Sequence, residues 1–268
     1  MNMISIIIVN YKNPALLKLC LSSVYKSMLS DTKYEVIVVD GASSIETRNI
    51  VNEDFNNARY LPFKQNVGYT QGVNEGLKIS SGDSILILNP DVVPLTGSIE
   101  KLSDHLIHNP TIGMVGPQLL NFDGSIQDST FRFYDLPMVI YRRSFLGRFG
   151  FAKTKLNALL MKDMDRSSAY SADWLMGSSY MISRKALDKV GYLDENFFMY
   201  MSDVDWAKRF WENGYRIVYY PDSKMYHYHQ RASKGPFDIF DVLLKKESRW
   251  HLIDAYKYFK KYGINTTK

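Results

Sequence analysis

Asp91 ends the apolar run of SILILNPDVVP (residues 84–94), and Pro90 restricts the backbone of Asn89, so both polar side chains stand on a stiffened turn. Such an oxygen pair suits a divalent cation, because magnesium and manganese take one or two protein carboxylates and complete their shell with water and substrate phosphate. An Asx turn closing a strand is the plainer reading of this segment by itself. Asp40 closes a second apolar run, YEVIVVDGASS, where a fixed carboxylate can select the hydrogen-bond donors of a base or ribose; an ordinary Asp-Gly turn is the alternative. In NVGYTQGVNEG, Gly68, Gly72 and Gly76 are spaced by four, with Asn66 and Asn74 among them. That pattern admits close backbone approach to a ligand, or simply packs the start of a helix. In DENFFMYMSDVDWAKRF, Asp203 and Asp205 are two residues apart and point different ways on a helix, so one can act as a general base beside aromatic walls while the other caps the helix. YYPDSKMYHYHQRAS carries His227, His229 and Arg231: imidazole ligates metals and arginine pairs with phosphate, although surface histidines beside a turn would read the same.

These groups need a scaffold, and the first hundred residues supply one. SIIIVNY, YEVIVVDG, YLPFK and SILIL alternate with helical stretches, and such continuous β-branched runs mark parallel strands buried on both faces. Ligands of open α/β sheets bind at the carboxyl ends of the strands, where Asp40 and Asp91 fall. Asn13-Pro14 starts a helix whose buried face holds Leu17, Leu21 and Val24, with Cys20 beside them as a structural thiol. Beyond residue 115 the rhythm loosens: residues 116–133 look like a hairpin and 141–170 like a polar, mobile insertion. The tail from about 236 reads as an amphipathic helix, with Leu252, Tyr256 and Phe259 beside Lys257, Lys260 and Lys261.

Composition narrows the function classes. The 268 residues carry 33 Lys and Arg against 28 Asp and Glu, a net +5 that suits phosphates or an anionic membrane surface and gives no ground for nucleic-acid binding. One cysteine cannot form an internal disulfide. No apolar run approaches the ~20 residues of a membrane span, and no leader pattern opens the chain, so a cytoplasmic protein is expected, at most at the inner face of the membrane. Neither G-x-G-x-x-G after the first strand nor a P-loop occurs, which argues against a dehydrogenase or a P-loop enzyme.

SIIIVNY, VIVVDGAS, NVGYTQGVNEG, LILNPDV, GSSYMISRKALDKVGYLDENFFMYMSDVDWAKR and YRIVYYPDSKMYHYHQRAS, in this order, resemble the inverting nucleotide-sugar transferases of glycosyltransferase family 2. NPD and the late HYHQRAS look most like the rhamnosyltransferase branch of cell-surface polysaccharide synthesis. The resemblance implies a GT-A type α/β fold, a mainly parallel Rossmann-like sheet flanked by helices with a helical C-terminal tail. It divides the chain into a nucleotide-sugar-binding half (1–115), an acceptor-binding and catalytic half of the same domain (116–235) and the tail (236–268). Asp40 and Asn10 would hold the base, and Asn66, Gly68 and Asn74 would border the donor sugar and phosphates. Asn89 to Asp91 matches the metal segment, implying Mg²⁺ or Mn²⁺ on Asp91 with His227 or His229, and Arg231 near the phosphates. Asp203 matches the catalytic base, whereas Ser202 stands where Glu is usual, which puts acceptor geometry in doubt. Asp173, Trp174 and Gly177 fall where the family shapes the acceptor pocket, a turn with a core tryptophan being the alternative.

The implied reaction moves a sugar, L-rhamnose from dTDP-rhamnose or else a hexose from UDP, to a glycan or lipid-linked acceptor. Peripheral membrane contact through the tail would suit a lipid-linked acceptor; packing of the same face on the catalytic domain or, in an oligomer, on a second subunit is the alternative. A nucleotidyltransferase would need a Gly-rich, Arg-containing loop after the first strand, which VNYKNPAL lacks. A binding module without turnover is the remaining alternative, kept open by Ser202.

Overall fold

The computed structural model describes residues 2–143, 149–228, 246–264 and 266. The first half runs β1 (Met3–Asn10), α1 (Pro14–Ser27), β2 (Lys33–Gly41), α2 (Ile45–Asn49), β3 (Arg59–Phe63), α3 (Gly68–Ile79), β4 (Ser84–Leu88), β5 (Val92–Pro94) and α4 (Ser98–His108). The second runs β6 (Ile112–Leu120), β7 (Thr130–Phe131), α5 (Leu136–Arg143), α6 (Gly150–Leu159), β8 (Tyr170–Ser171), β9 (Trp174–Leu175), β10 (Ser179–Ser183), α7 (Arg184–Val190), α8 (Ser202–Glu212), β11 (Arg216–His227) and α9 (Lys246–Tyr262).

One sheet carries the order β3-β2-β1-β4-β10-β6-β11-β5, with β8 on the free side of β11. β3, β2, β1 and β4 are parallel, β10 enters antiparallel between β4 and β6, and β11 is parallel to β6. The runs of the first half are apolar throughout because helices cover both faces. Ile7, Ile37, Val39, Ile85 and Ile87 face one core together with Val73 of α3 and Trp206 and Phe210 of α8. The alternate residues Ile6, Ile8, Val36, Val38, Leu86 and Leu88 face the other, against Leu17, Cys20, Leu21 and Val24 of α1 and Ile99 and Leu102 of α4. Burial, with Asp91 adding to it, pushes the Cys20 thiol up, as expected of a structural cysteine.

Register brings the polar strand ends to one edge. Asn10 lies opposite Asp40, Ile8 opposite Leu88, Leu88 opposite Ser179, and Val92 opposite His227. The α/β, GT-A type architecture expected from the motif order is therefore the one present.

Three local expectations are revised. Residues 116–133 form no regular hairpin: β6 meets the returning chain at a single bridge, Leu120 with Ile126, and β7 pairs with β9 instead. The stretch 141–170 is not a polar loop in its described part, since α6 and the turn after it bury Leu159 and Met161 against the core containing Phe131 and Phe133, and Ala152 of α6 is buried as well. The tail is helical over 246–262, but its inner face is Asp254, Ala255 and Tyr258, while Leu252 and Tyr256 stay exposed. Lys257 donates to the Asn196 carbonyl, and Lys261 reaches Asp194 (2.7 Å) and Asp205 (2.6 Å), so two of the three lysines meet the protein's own acceptors.

Candidate active site

Asn10 and Asp40 meet where β1 and β2 end. The Asn10 amide donates to Asp40 Oδ1 (2.8 Å), and the Tyr60 hydroxyl of β3 donates to Oδ2 (2.9 Å) while sharing a 2.6 Å hydrogen bond with Ser43. Burial, reinforced by the Asp40 charge, pushes the Tyr60 phenol up to about 12, so it remains a donor at neutral pH. Asp40 is thus a buried carboxylate of fixed orientation, and the buried Asn10 Oδ1 has no protein hydrogen-bond partner. Tyr11, 43% exposed, follows on the rim, and a Cβ on Gly41 would lie 3.7 Å from the Asn10 carbonyl and 3.8 Å from Asn66 Oδ1. Asn10, Gly41 and Asn66 therefore border one spot.

Asn66 accepts the Gly68 N–H (2.9 Å) and so starts α3. Gly68 has φ +80, and a Cβ there would fall 2.5 Å from the Phe198 carbonyl, which makes glycine the residue that fits. A cleft of about 640 Å³ opens beside it, bordered by Lys64, Asn66, Gln71, Glu195 and Phe198. Asn74 does not face this cleft: it donates to the Leu193 carbonyl and to Glu195 and accepts the Leu193 N–H, which fastens α3 to the segment before α8.

Asp91 Oδ2 stands 3.6 Å from His227 Nε2, and Asp91 Oδ1 is buried without a hydrogen-bond partner. Gln127 settles the imidazole's orientation. Its Nε2 donates to the carbonyl of His227 (2.8 Å) and to Asn121 Oδ1 (2.6 Å), so its Oε1 is the atom that faces His227 Nδ1 at 2.8 Å. An amide oxygen can only accept, so Nδ1 carries the proton of the neutral ring and Nε2 presents its lone pair toward Asp91. A carboxylate oxygen and an imidazole lone pair turned toward each other form a donor set that fits a divalent cation, with Gln127 orienting the ligand from behind. Two protein ligands leave the remaining positions to water and phosphate, and among the described residues no group of three or more His, Cys, Asp or Glu gathers. His229 and Arg231 lie outside the described residues.

The two acids of α8 have separate surroundings. Asp203 accepts the Gly177 N–H (3.1 Å) and stays partly accessible. Asp205 is fully buried and engaged by Arg209, Lys261 and Tyr262 at 3.0, 2.6 and 2.7 Å, which removes it as a base. Ser202 is also fully buried, so the serine in place of glutamate does not line the crevice.

Adjacent residues join Asp203 to the segment from Asn89 to Asp91: Gly177 N–H meets Asp203, while the Ser178 carbonyl accepts the Asn89 N–H (2.8 Å). The Tyr69 hydroxyl donates to the Gly177 carbonyl (2.6 Å), tying the same strand entry to α3. A Cβ at Gly177 would sit 3.2 Å from Asp203 Oδ2 and 3.4 Å from Tyr69 Oη. Asp173 and Trp174 serve the local fold. Asp173 Oδ2 accepts the Phe133 N–H (2.9 Å) and Oδ1 lies 3.5 Å from Arg132, while Trp174 stacks on Phe131 at 4.2 Å and donates to the Arg132 carbonyl. Tyr60, Tyr69, Gln127 and Ser178 were not flagged by sequence reasoning. They act through contacts across tens of residues that no local pattern reveals.

Known proteins resemble this chain in sequence and in fold. The chain is 30% identical over 222 residues to N-acetylglucosaminyl-diphospho-decaprenol L-rhamnosyltransferase of Mycobacterium tuberculosis, covering 78% of this chain and 71% of that protein. It is 25% identical over 277 residues to rhamnosyltransferase WbbL of Escherichia coli, covering 98% and 94%. Among solved structures, GalNAc-T7 with UDP, GalNAc and Mn²⁺ superposes with a TM-score of 0.64 at 14% identity, over 97% of this chain and about half (54%) of that one. The mannosyltransferase PcManGT of Pyrobaculum calidifontis with GDP-Man and Mn²⁺ gives 0.57 at 18%, over 94% and 71%. These two likenesses speak to the fold. The family model described as glycosyl transferase family 2 matches residues 5–191, and the chain belongs to that family of glycosyltransferases.

Proposed function

We propose that this chain is a metal-dependent inverting glycosyltransferase that moves L-rhamnose from dTDP-L-rhamnose, or failing that a hexose from its UDP derivative, to a glycan or lipid-linked acceptor in cell-surface polysaccharide synthesis. The observation that carries this reading is the junction at Gly177 and Ser178, where consecutive residues bond the Asp203 carboxylate and the Asn89 backbone. Asp203 and the segment from Asn89 to Asp91 are thereby joined through two consecutive residues, which supports a shared role.

In this reading Asp40, set by Asn10 and Tyr60, accepts a donor N–H of the pyrimidine base. Asp203 takes the proton of the acceptor hydroxyl while its oxygen bonds to the anomeric carbon and the bond to the diphosphate breaks, which inverts that carbon. Such general-base assistance contributes about 10²–10⁴-fold. Asp91 and His227 would hold a divalent cation, whose charge would favour departure of the diphosphate by several kcal/mol. The choice of rhamnose is supported by the two rhamnosyltransferase relatives, and the lipid-linked acceptor by the name of the mycobacterial one.

A panel of nucleotide sugars scored by thermal stabilisation with Mn²⁺ tests the donor. Ligand at 100 times its Kd stabilises by about 2.7 kcal/mol, a readily measured rise in Tm. dTDP-L-rhamnose is expected to stabilise most, with EDTA abolishing most of the shift; a panel in which no nucleotide sugar stabilises would contradict the reading.

A lipid-linked acceptor also gives the tail a role at the bilayer. Leu252, Ile253 and Tyr256 remain 42, 51 and 69% exposed, with Arg249 and Lys260 exposed beside them. Basic residues near anionic lipid contribute about 1 kcal/mol each. The protein is expected to float with anionic vesicles at low salt and to lose this on replacement of Leu252, Ile253 and Tyr256 by serine. No flotation at low salt rejects the contact. Among the described residues no helix is long and apolar enough to cross a membrane.

A further inference from the structure

α9 lies beyond the residues matched by the family model, yet it holds the segment that leads into the base. Asp254 is 1% exposed, and its carboxylate accepts the consecutive backbone N–H groups of Phe198, Met199 and Tyr200 at 3.0 to 3.3 Å. Successive N–H groups turned to one side form an anion cradle, and here the anion is a side chain of the same protein. Aromatic contacts follow the same path: Phe198 packs on Trp250 with ring centroids 4.7 Å apart, and Tyr200 on His251 at the same distance. Directly after the cradle the chain turns through Met201 at φ +63, a conformation that a residue with a side chain keeps only when its surroundings impose it, and then enters α8 with Asp203 in the first turn.

We propose that Asp254 is the positioning residue for Asp203, an inference that rests on the reading of Asp203 as the base. Asp254 fixes three peptide units, these fix the turn at Met201, and the turn sets where the Asp203 carboxylate meets Gly177. Lys261 and Tyr262 fasten the far side of the same turn through Asp205. Although burial works against its charge, the bonds to Asp194 and Asp205 hold Lys261 above the ordinary lysine value, so this second clamp stays charged near neutral pH. The cleft bordered by Lys64 and Gln71 reaches Phe198 at one end of this segment, while α9 packs against Phe198 and Tyr200.

The test replaces Asp254 by Asn, which removes the negative charge from the cradle and leaves a single amide oxygen to accept the three N–H groups, and by Glu, which keeps the charge one methylene displaced. Tyr258→Leu serves as the comparison. Tyr258 is fully buried on the same helix, packs on Phe259 and Tyr262 and hydrogen-bonds Thr266, so its replacement weakens tail packing while the carboxylate of Asp254 keeps its three N–H partners. Sugar transfer or donor hydrolysis is followed with dTDP-L-rhamnose, or with whichever nucleotide sugar the stabilisation panel selects. Mn²⁺-dependent dTDP affinity is titrated alongside.

Asp254→Asn is expected to lower kcat at least tenfold, with KM for the donor and dTDP affinity within threefold of wild type. Hydrogen exchange in peptides spanning 196–203 is expected to accelerate. Asp254→Glu should lie between the two. Tyr258→Leu should lower Tm and keep kcat below its melting range. If Asp254→Asn does not fold, the kcat against KM split and the exchange rates of Asp254→Glu decide instead. Loss of kcat in Tyr258→Leu in proportion to its lost stability, equal to that of the Asp254 variants, would make Asp254 merely structural and overturn the proposal. Asp203→Asn, run in parallel, separates the two readings. If it is inactive while both Asp254 variants are fully active, the positioning proposal alone fails; if it is active, the base assignment fails first.

Discussion

Asp91→Ala should bind dTDP no more tightly with Mn²⁺ than with EDTA, whereas the wild type should gain roughly 10–100-fold from the metal, the range over which metal-site groups change affinity. The expectation follows from the polar atoms that the fold leaves facing each other. A buried carboxylate oxygen without a partner costs free energy on the order of 1–3 kcal/mol, and Asp91 Oδ1 is such an atom. Oδ2 stands 3.6 Å from Nε2 of an imidazole oriented by Gln127, an arrangement that a divalent cation held by both would stabilise. Gln127→Ala should weaken the same metal dependence less than Asp91→Ala, because it frees the ring without removing a ligand. Calorimetric titration of dTDP in Mn²⁺ and in EDTA reads both. Wild-type binding and activity that EDTA leaves untouched would remove the metal from the account.

The fold was legible because its first half is built from strands with helices on both faces, which forces SIIIVN, YEVIVVD and SILIL to be apolar without a break. Their carboxyl ends are where a polar residue can stand, so Asp40 and Asn89 to Asp91 stood out there, whereas Asn10 came only from the resemblance to the family. The second half was harder to read. Residues 136–162 interleave lysine and arginine with Leu156, Leu159 and Met161, and a short amphipathic helix of that kind looks like a loop until its core partners are known.

Single motifs misled where one side chain could serve two masters. Asn74 sits in the glycine-rich segment with the spacing of a ligand-binding amide, yet its hydrogen bonds go to Leu193 and Glu195. Gly76 in the same segment is there because a Cβ would lie 2.4 Å from Ile7. Spacing alone left Asp203 and Asp205 interchangeable, and only the resemblance to the family singled out Asp203. Arg209, one turn on, was a local hint that Asp205 is the structural member, but Lys261 and Tyr262 arrive from more than 50 residues away.

Asp203→Asn should lose transfer by two orders of magnitude or more while keeping the nucleotide site. The substitution is nearly isosteric, and its amide oxygen can still accept the Gly177 N–H, so Met201, Gly177 and the Ser178 link to Asn89 stay in place. What it removes is the group that takes a proton, and a hundredfold loss corresponds to about 2.7 kcal/mol at the transition state. Asp205 cannot take over, because its carboxylate is buried under Arg209, Lys261 and Tyr262.

The central claim is that one crevice holds a nucleoside diphosphate through Asp91 and a base at Asp203, each with its own task. Measuring Mn²⁺-dependent dTDP affinity and sugar transfer on the same preparation of Asp203→Asn tests it most directly. The account predicts affinity within about threefold of wild type and transfer reduced at least a hundredfold, a split expected when a group acts on the transition state and not on binding. Transfer near the wild-type rate in that variant would contradict the account and take the base away from Asp203.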